Sequence, residues 1–417
     1  NNEVKFIYLS AYIYGLSLSN HWPSMIVLLP LFIWVIYGIK PALSCKKLFM
    51  SSAFTVLGLS AYMFLYVRAG TSPDINWGDP GTIGRLISVI TRESYRGEIK
   101  PFTAFVLGYH LKYFGVWFVS NYGFLWMLLP FGAVFMYKDN KPAFFMTAGT
   151  ALILSFVLVF LNRTALETIW LMGIFLMPAA LSVLIIIAKS ASFVAERSGL
   201  AGRLAVLAAV YFSAAFLFFS NLPRNSRQSD FISYDLGRNI LQVMEDKAYY
   251  LSEHDMYYMP VLYSLKIERK KPDVKFYSLP ALQYEWGIRQ ARDIFGFFPA
   301  KPGDVLYNTA GITGIAIRDA GAIYRDFTSP AFDSLRLPLY QGNAGLVKRL
   351  SSDPYHDSPA IYDLFSFRGI YSEFAKNEEN TEIITRYLIF ISMHAEKLQL
   401  LKRHMESIAL YKKALRI

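Results

Sequence analysis

The chain has 417 residues, enough for two or three domains, of which 54% are hydrophobic, 16% aromatic and only 18% charged. That balance, with a mean hydropathy of +0.30, argues against a wholly soluble protein and for a membrane class. The 42 Lys and Arg residues outnumber 31 Asp and Glu to give a net charge of +11, but most sit in short loops flanking apolar runs. Cytoplasmic anchors are placed that way; nucleic-acid-binding faces are not.

Cys45 is the single cysteine, so no intrachain disulfide and no cysteine metal site can form. The six histidines show no zinc-ligand spacing. The opening "NNEVKFIYLS" lacks Met and any signal pattern, and "YKKALRI" ends inside a helical pattern. A fragment of a longer protein is expected.

In chain order, seven apolar segments predict membrane spans near 4–19, 22–39, 48–67, 122–137, 143–161, 168–188 and 204–221, since a hydrocarbon core of about 30 Å takes roughly 20 helical residues. Segment 101–120 is interrupted by His110 and Lys112 and rich in aromatics, and reads as an amphipathic interfacial helix. Lysines and arginines in 40–47, 138–142 and 189–203 place those loops in the cytoplasm if 101–120 does not span. The turn at Asn20-His21, the loop 68–100, the turn 162–167 and everything after Asn221 then lie outside it. After 221 the composition turns mixed. Helices are predicted at 231–244 and 256–267, strands at 247–252 and 273–278, and helix from about 357 onward. The fold class is mainly α: a polytopic transmembrane bundle over 1–221, a soluble α/β unit over 222–356 and a helical region over 357–417. The last, ending in Ala-Leu-Tyr-Lys-Lys-Ala-Leu, resembles a tetratricopeptide hairpin.

The loop 68–100 concentrates chemistry. Ionisable residues beside a membrane are costly to place and mark sites. Arg68 and Arg92 can each fork two N–H donors onto a phosphate or carboxylate. Asp79, between Gly78 and Pro80, suits a rigid turn that aims its carboxylate, and Trp77 offers a face for a sugar or for the headgroup layer. The plainer readings are a snorkelling Arg68, a helix-capping Asp79 and an interfacial Trp77. Asn20 and His21 fall on the same side, with Tyr95 as a further donor. The sequon Asn162-Arg163-Thr164 reads as a chance match and Arg163/Glu167 as a surface pair. Glu253, His254 and Asp255 come to a strand end, where α/β units place ligand groups, with Asp255 as a helix cap.

"YGLSLSNH" (14–21), "YVRAGTSPDINWGDPGT" (66–82), "TRESYRG" (91–97), "YDLGRNIL" (234–241) and "KKPDVKFYSLPALQYEW" (270–286) resemble, in this order, a family of polytopic membrane proteins. It was first catalogued as a domain of unknown function and includes protein O-mannosyltransferases of the GT-C superfamily. The resemblance implies an enzyme that moves a sugar, mannose in that family, from a polyprenyl-phosphate donor to a Ser or Thr hydroxyl of an acceptor protein outside the cytoplasm. It implies no cofactor beyond that donor, and protein partners through C-terminal helical repeats. Expected substrate-binding residues are Asn20, His21, Arg68, Trp77, Asp79, Arg92 and Tyr95. The GT-C pattern also expects an acidic residue in the first extracytoplasmic loop. The first turn here, "SNHW", has no carboxylate. The catalytic acid is therefore expected upstream of Asn1, with Asp79 as the fallback. Two rival readings remain open: a transporter or flippase for a lipid-linked sugar, and a membrane-anchored repeat scaffold without catalysis.

Overall fold

A computed structural model describes residues 2–39, 44–71, 73, 76–93, 103–161, 171–296, 300–301, 303–327, 329–354, 358–372, 376 and 378–417. The chain is mainly helical and divides into two compact units, Asn1–Ser220 and Asn221–Ile417.

In the first unit α1 (Asn2–Ile26) leaves helical geometry at His21, where φ is −146° and ψ 77°, with Pro23 two residues on. A proline removes one ladder donor and crowds the preceding turn, which accounts for a break here. α2 (Leu29–Ile39) follows at a bend of 99°. α1 packs on α3 (Cys45–Leu59) through small residues. A Cβ on Gly15 would fall 2.1 Å from the Thr55 carbonyl oxygen, and one on Gly58 2.4 Å from that of Tyr12. Only glycine permits that backbone approach, the usual way apolar helices associate without a hydrophobic driving force. Thr55 Oγ1 donates across the contact to the Ala11 carbonyl at 3.2 Å.

A 3-10 turn leads from α3 into α4 (Met63–Ala69), followed by α5 (Ile83–Ile90), α6 (Ala104–Tyr122), α7 (Leu129–Asp139), α8 (Lys141–Phe156), α9 (Leu171–Phe175), α10 (Met177–Arg197) and α11 (Leu200–Asn225). Among the described residues, five helical stretches are long and apolar enough to cross a membrane: Cys45–Ala69, Ala104–Asp139, Lys141–Phe160, Met177–Arg197 and Leu200–Pro223. The bent pair α1–α2 makes a sixth if it acts as one span. The expected seven are thus corrected. Segments 4–19 and 22–39 pass only together, because the turn expected at Asn20-His21 is a kink within α1 and the 99° bend comes after Ile26. Segment 122–137 is the second half of Ala104–Asp139. Nor is α6 amphipathic: Leu107, Phe114 and Trp117 face the bundle while Phe105, Leu111, Val116 and Val119 stand exposed on the other side. Its His110 is buried, with Nδ1 3.2 Å from the Val159 carbonyl, so one nitrogen of the imidazole that interrupts the apolar run is paired inside the bundle. The expected loop 189–203 shrinks to the two residues between α10 and α11, and Lys189 pairs with Asp139 at 2.5 Å.

The second unit is a five-stranded sheet with helices on both faces. α12 (Ile232–Gln242), β1 (Tyr249–Ser252), α13 (Asp255–Lys266) and β2 (Lys275–Ser278) come first. Next are α14 (Glu285–Phe295), α15 (Val305–Ala320), β3 (Ala322–Asp326) and α16 (Pro330–Ser334). The hairpin β4 (Tyr340–Ala344) and β5 (Val347–Ser351) precedes α17 (Arg368–Tyr371), α18 (Glu378–Leu400) and α19 (His404–Ala414). The strand order is β2-β1-β3-β5-β4. β1 runs parallel to both β2 (Tyr249 opposite Lys275) and β3 (Tyr249 opposite Ile323). β5 is antiparallel to β3 and β4. Alternate strand residues feed two cores. Tyr250, Tyr324 and Val347 join α12, α13, α18 and α19, with Tyr387, Phe390 and Leu410 in the same cluster. Tyr249, Leu251, Ile323 and Leu350 join α14 and α15.

Candidate functional site

The stretch after α4 builds a strap around α5. Thr82 caps the helix by accepting from the Arg85 amide at 3.3 Å, so Asp79 is released from the capping role. Asp79 takes a left-handed φ of 44°, after Gly78 at 73°. Asn76 Nδ2 donates to Asp79 Oδ1 at 3.0 Å, and Arg85 Nη1 forms an ion pair with Oδ2. A Cβ on Gly78 would meet Val89 Cγ2 at 2.4 Å, which shows how closely the Trp77-Gly78-Asp79 turn lies along α5. Trp77 stays 43% exposed there, leaving part of its ring surface open.

The far end of α5 meets the kink of α1. Trp22 Nε1 donates to the Ile90 carbonyl at 2.7 Å. Beside it the His21 ring lies 2.7 Å from Ser24 Oγ through Nδ1 and stacks on Phe175, with centroids 4.3 Å apart. Arg92, two residues past α5, is held at φ 56° with its amide on the Val89 carbonyl at 3.1 Å. Its charge reaches both the His21 ring and the Tyr62 hydroxyl. Tyr62 in turn donates to the Leu18 carbonyl at 3.1 Å. Among the described residues no carboxylate pairs with Arg92. A guanidinium without a carboxylate partner among the described residues, whose charge reaches an imidazole and a phenol, suits an anionic oxygen supplied from outside the chain.

The sequence-predicted residues therefore divide. His21, Trp77, Asp79 and Arg92 are gathered by α5. Arg68 lies at the opposite end, where Ala69 approaches Gly81, and its Nη1 rests on Thr71 Oγ1 at 3.3 Å. The helix between them rises about 12 Å, so the two arginines start from its two ends. Asn20 is exposed on α1. Tyr95, Arg163, Glu167 and the sequon lie outside the described residues. Sequence reasoning singled out neither Trp22 nor Tyr62 nor Arg85. For Arg85 a signal existed, three residues after a capping Thr; for Tyr62 none did, since its role depends on the α1–α3 contact.

The second predicted cluster, Glu253-His254-Asp255, does sit past the carboxyl end of β1, but the amides of Glu253 and His254 and the Glu253 carboxylate are spent internally. Buried Asp326 at the end of β3 accepts from Tyr250 Oη (2.6 Å), Ser252 Oγ (2.9 Å) and the amides of Glu253 (2.7 Å) and His254 (3.1 Å). Burial pushes its carboxyl up from the usual carboxylate range against the pull of those bonds. Glu253 Oε1 accepts from Ser329 Oγ and, at 3.0 Å, from the Ala331 amide. Asp255 is the first residue of α13 and not its cap, a place held by His254 without a side-chain bond. No three His, Cys, Asp or Glu side chains among the described residues are placed to hold a metal ion.

No protein-family model matches the chain, and neither curated proteins nor solved structures give a match.

Proposed function

We propose that the chain is a multi-pass membrane glycosyltransferase that carries a hexose, mannose by its resemblance, from a polyprenyl-phosphate to a Ser or Thr hydroxyl on the extracytoplasmic face. The supporting observation is Arg92, a cation without a described carboxylate partner, fixed in a left-handed conformation where α5, the α1 kink and Tyr62 meet. Transfer leaves negative charge on the departing lipid phosphate. Arg92 supplies a fixed donor there, and His21 and Tyr62 are the neighbouring polar groups. The exposed face of Trp77 supports a sugar-facing role in the same strap. Asp79 is occupied by Arg85 and Asn76, which makes it a positioning group for the strap and leaves the general base to another residue.

The full-length protein in proteoliposomes, given polyprenyl-phosphate mannose and an acceptor peptide, tests this. Arg92→Ala lowers kcat/KM by about 10²- to 10³-fold, the usual cost of one charge-stabilising donor, whereas Arg68→Ala lowers it by less than about tenfold because its described side-chain contact is with Thr71. Unchanged transfer by Arg92→Ala removes the phosphate-binding assignment. A transporter would instead move the lipid-linked sugar across the bilayer without consuming it.

A further inference from the structure

The surface where α12 meets α13 gathers aromatic rings and cations into one patch. Arg368 lies over the rings of Phe231 (4.5 Å) and Tyr234 (5.4 Å), and Arg238 over Tyr234 at 5.6 Å. Tyr263 meets Tyr234 edge-on at 6.3 Å. Tyr234 Oη donates to Glu268 at 2.5 Å, which draws the run Lys266-Ile267-Glu268-Arg269-Lys270 to the same edge. Gly237 makes this closeness possible, since a Cβ there would fall 2.4 Å from the Pro260 carbonyl oxygen. The apolar members stand in the open: Phe231 is 37% exposed, Tyr263 49%, Met259 50% and Ile267 69%. Asp235 is taken up by Arg368 at 2.5 Å, and Glu268 by Tyr234. Five cations, Arg238, Lys266, Arg269, Lys270 and Arg368, against two carboxylates, Asp235 and Glu268, leave the patch with net positive charge.

Isolated exposed rings need no explanation, but rings, long aliphatic side chains and four or more cations on one face have a specific physical complement. It is the boundary of an anionic bilayer, where amphipathic rings sit at headgroup depth and each lysine or arginine gains from lipid phosphate. Chain length supplies the proximity. Only five residues separate Asn225, the end of α11, from Phe231, so the patch begins within about 20 Å along the chain of the apolar helix that would be in the membrane.

We infer that the patch formed by Phe231, Tyr234, Tyr263, Ile267 and the basic run 266–270 docks on the surface of the membrane that α11 enters, with a preference for anionic lipid headgroups. This rests on α11 lying in a bilayer and is independent of glycosyl transfer.

The test uses the full chain with its exposed Cys45 replaced (Cys45→Ser) and an environment-sensitive fluorophore at Ile267→Cys. It is reconstituted either in phosphatidylcholine vesicles or in vesicles with one third phosphatidylglycerol, both carrying spin-labelled quencher lipids. A second chain carries the probe at Leu400→Cys, 84% exposed at the last residue of α18. The 267 probe is quenched in anionic vesicles and the 400 probe is not. Lys266→Gln, Arg269→Gln and Lys270→Gln together lower the docked-to-free ratio about 100-fold, from roughly fivefold per charge, and matching thermal melts show that the triple variant folds. Equal quenching at 267 and 400, or equal quenching at 267 in both lipid mixtures, overturns the inference. So does a 267 probe shielded in detergent only at concentrations where the chain dimerises, which assigns the patch to a second copy.

Discussion

Gly78→Ala tests whether the strap on α5 is the element that organises the site. Two costs can be read from the geometry. Gly78 has φ +73°, where an alanine loses about 1–2 kcal/mol to left-handed strain, and its new Cβ would lie 2.4 Å from Val89 Cγ2. That separation is below any real Cβ contact, so the turn or α5 must shift, at about 1–3 kcal/mol for an overpacked contact. The total of about 2–5 kcal/mol exceeds what the strap's partly exposed Asp79–Arg85 ion pair returns, about 1 kcal/mol or less. The strap should therefore lift from α5. Val89→Ala removes the colliding methyl, so the double variant Gly78→Ala/Val89→Ala recovers the steric part and keeps the backbone part. The assay is a double-mutant cycle on transfer rate and on quenching of Trp77 fluorescence by a soluble quencher, with Trp77→Phe to isolate its signal. Additive effects of the two substitutions would refute the reasoning, because they would mean that residues 78 and 89 do not touch.

Trp22→Phe keeps an aromatic ring near α5 but deletes the 2.7 Å bond to the Ile90 carbonyl. It should cost about 1 kcal/mol in thermal stability and lower transfer more than melting predicts if that bond helps set Arg92. In the second unit, Asn239 is buried and joined to the Ser366 carbonyl, the Ser366 amide and Tyr387 Oη, each at 2.8 Å. Asn239→Ala should destabilise this unit by about 2–4 kcal/mol through the buried polar groups it strands, measured by denaturant unfolding. Lys348, half-buried above the Phe327 ring at 4.9 Å, has its ammonium pushed below the usual lysine range by burial and by neighbouring Arg325. A depressed lysine is most favourable to folding above its unfolded pKa and loses that advantage as pH falls through the folded value. Lys348→Met should therefore raise the melting temperature at pH 7, and the gain should fade as pH rises past 10.5, above which the lysine is neutral in both states.

What the sequence by itself determined follows from one-dimensional physics. Twenty-residue apolar runs identify helices that belong in a membrane, and 3.6- and 2-residue periods located α12, β1, α13 and β2 before any contact was known. The glycine and proline around Asp79 likewise announced a turn with a defined geometry. Tertiary structure decided the rest. The bend at His21 merged two expected spans, because hydropathy averages over a window and carries no direction. The polar alternation of "YQGNA" and "VKRLS" hid β4 and β5, whose pairing with each other and, through β5, with β3 is settled by hydrogen bonds distant in sequence. The site depended most on the fold. Asp79 chose Arg85 over a helix cap, Arg92 was set apart from Arg68 by the length of α5, and Trp22 and Tyr62 joined it only because α1 packs on α3 and its kink meets the end of α5. Charge and side-chain type can be read from a chain; which charges share a surface depends on how its segments meet in space.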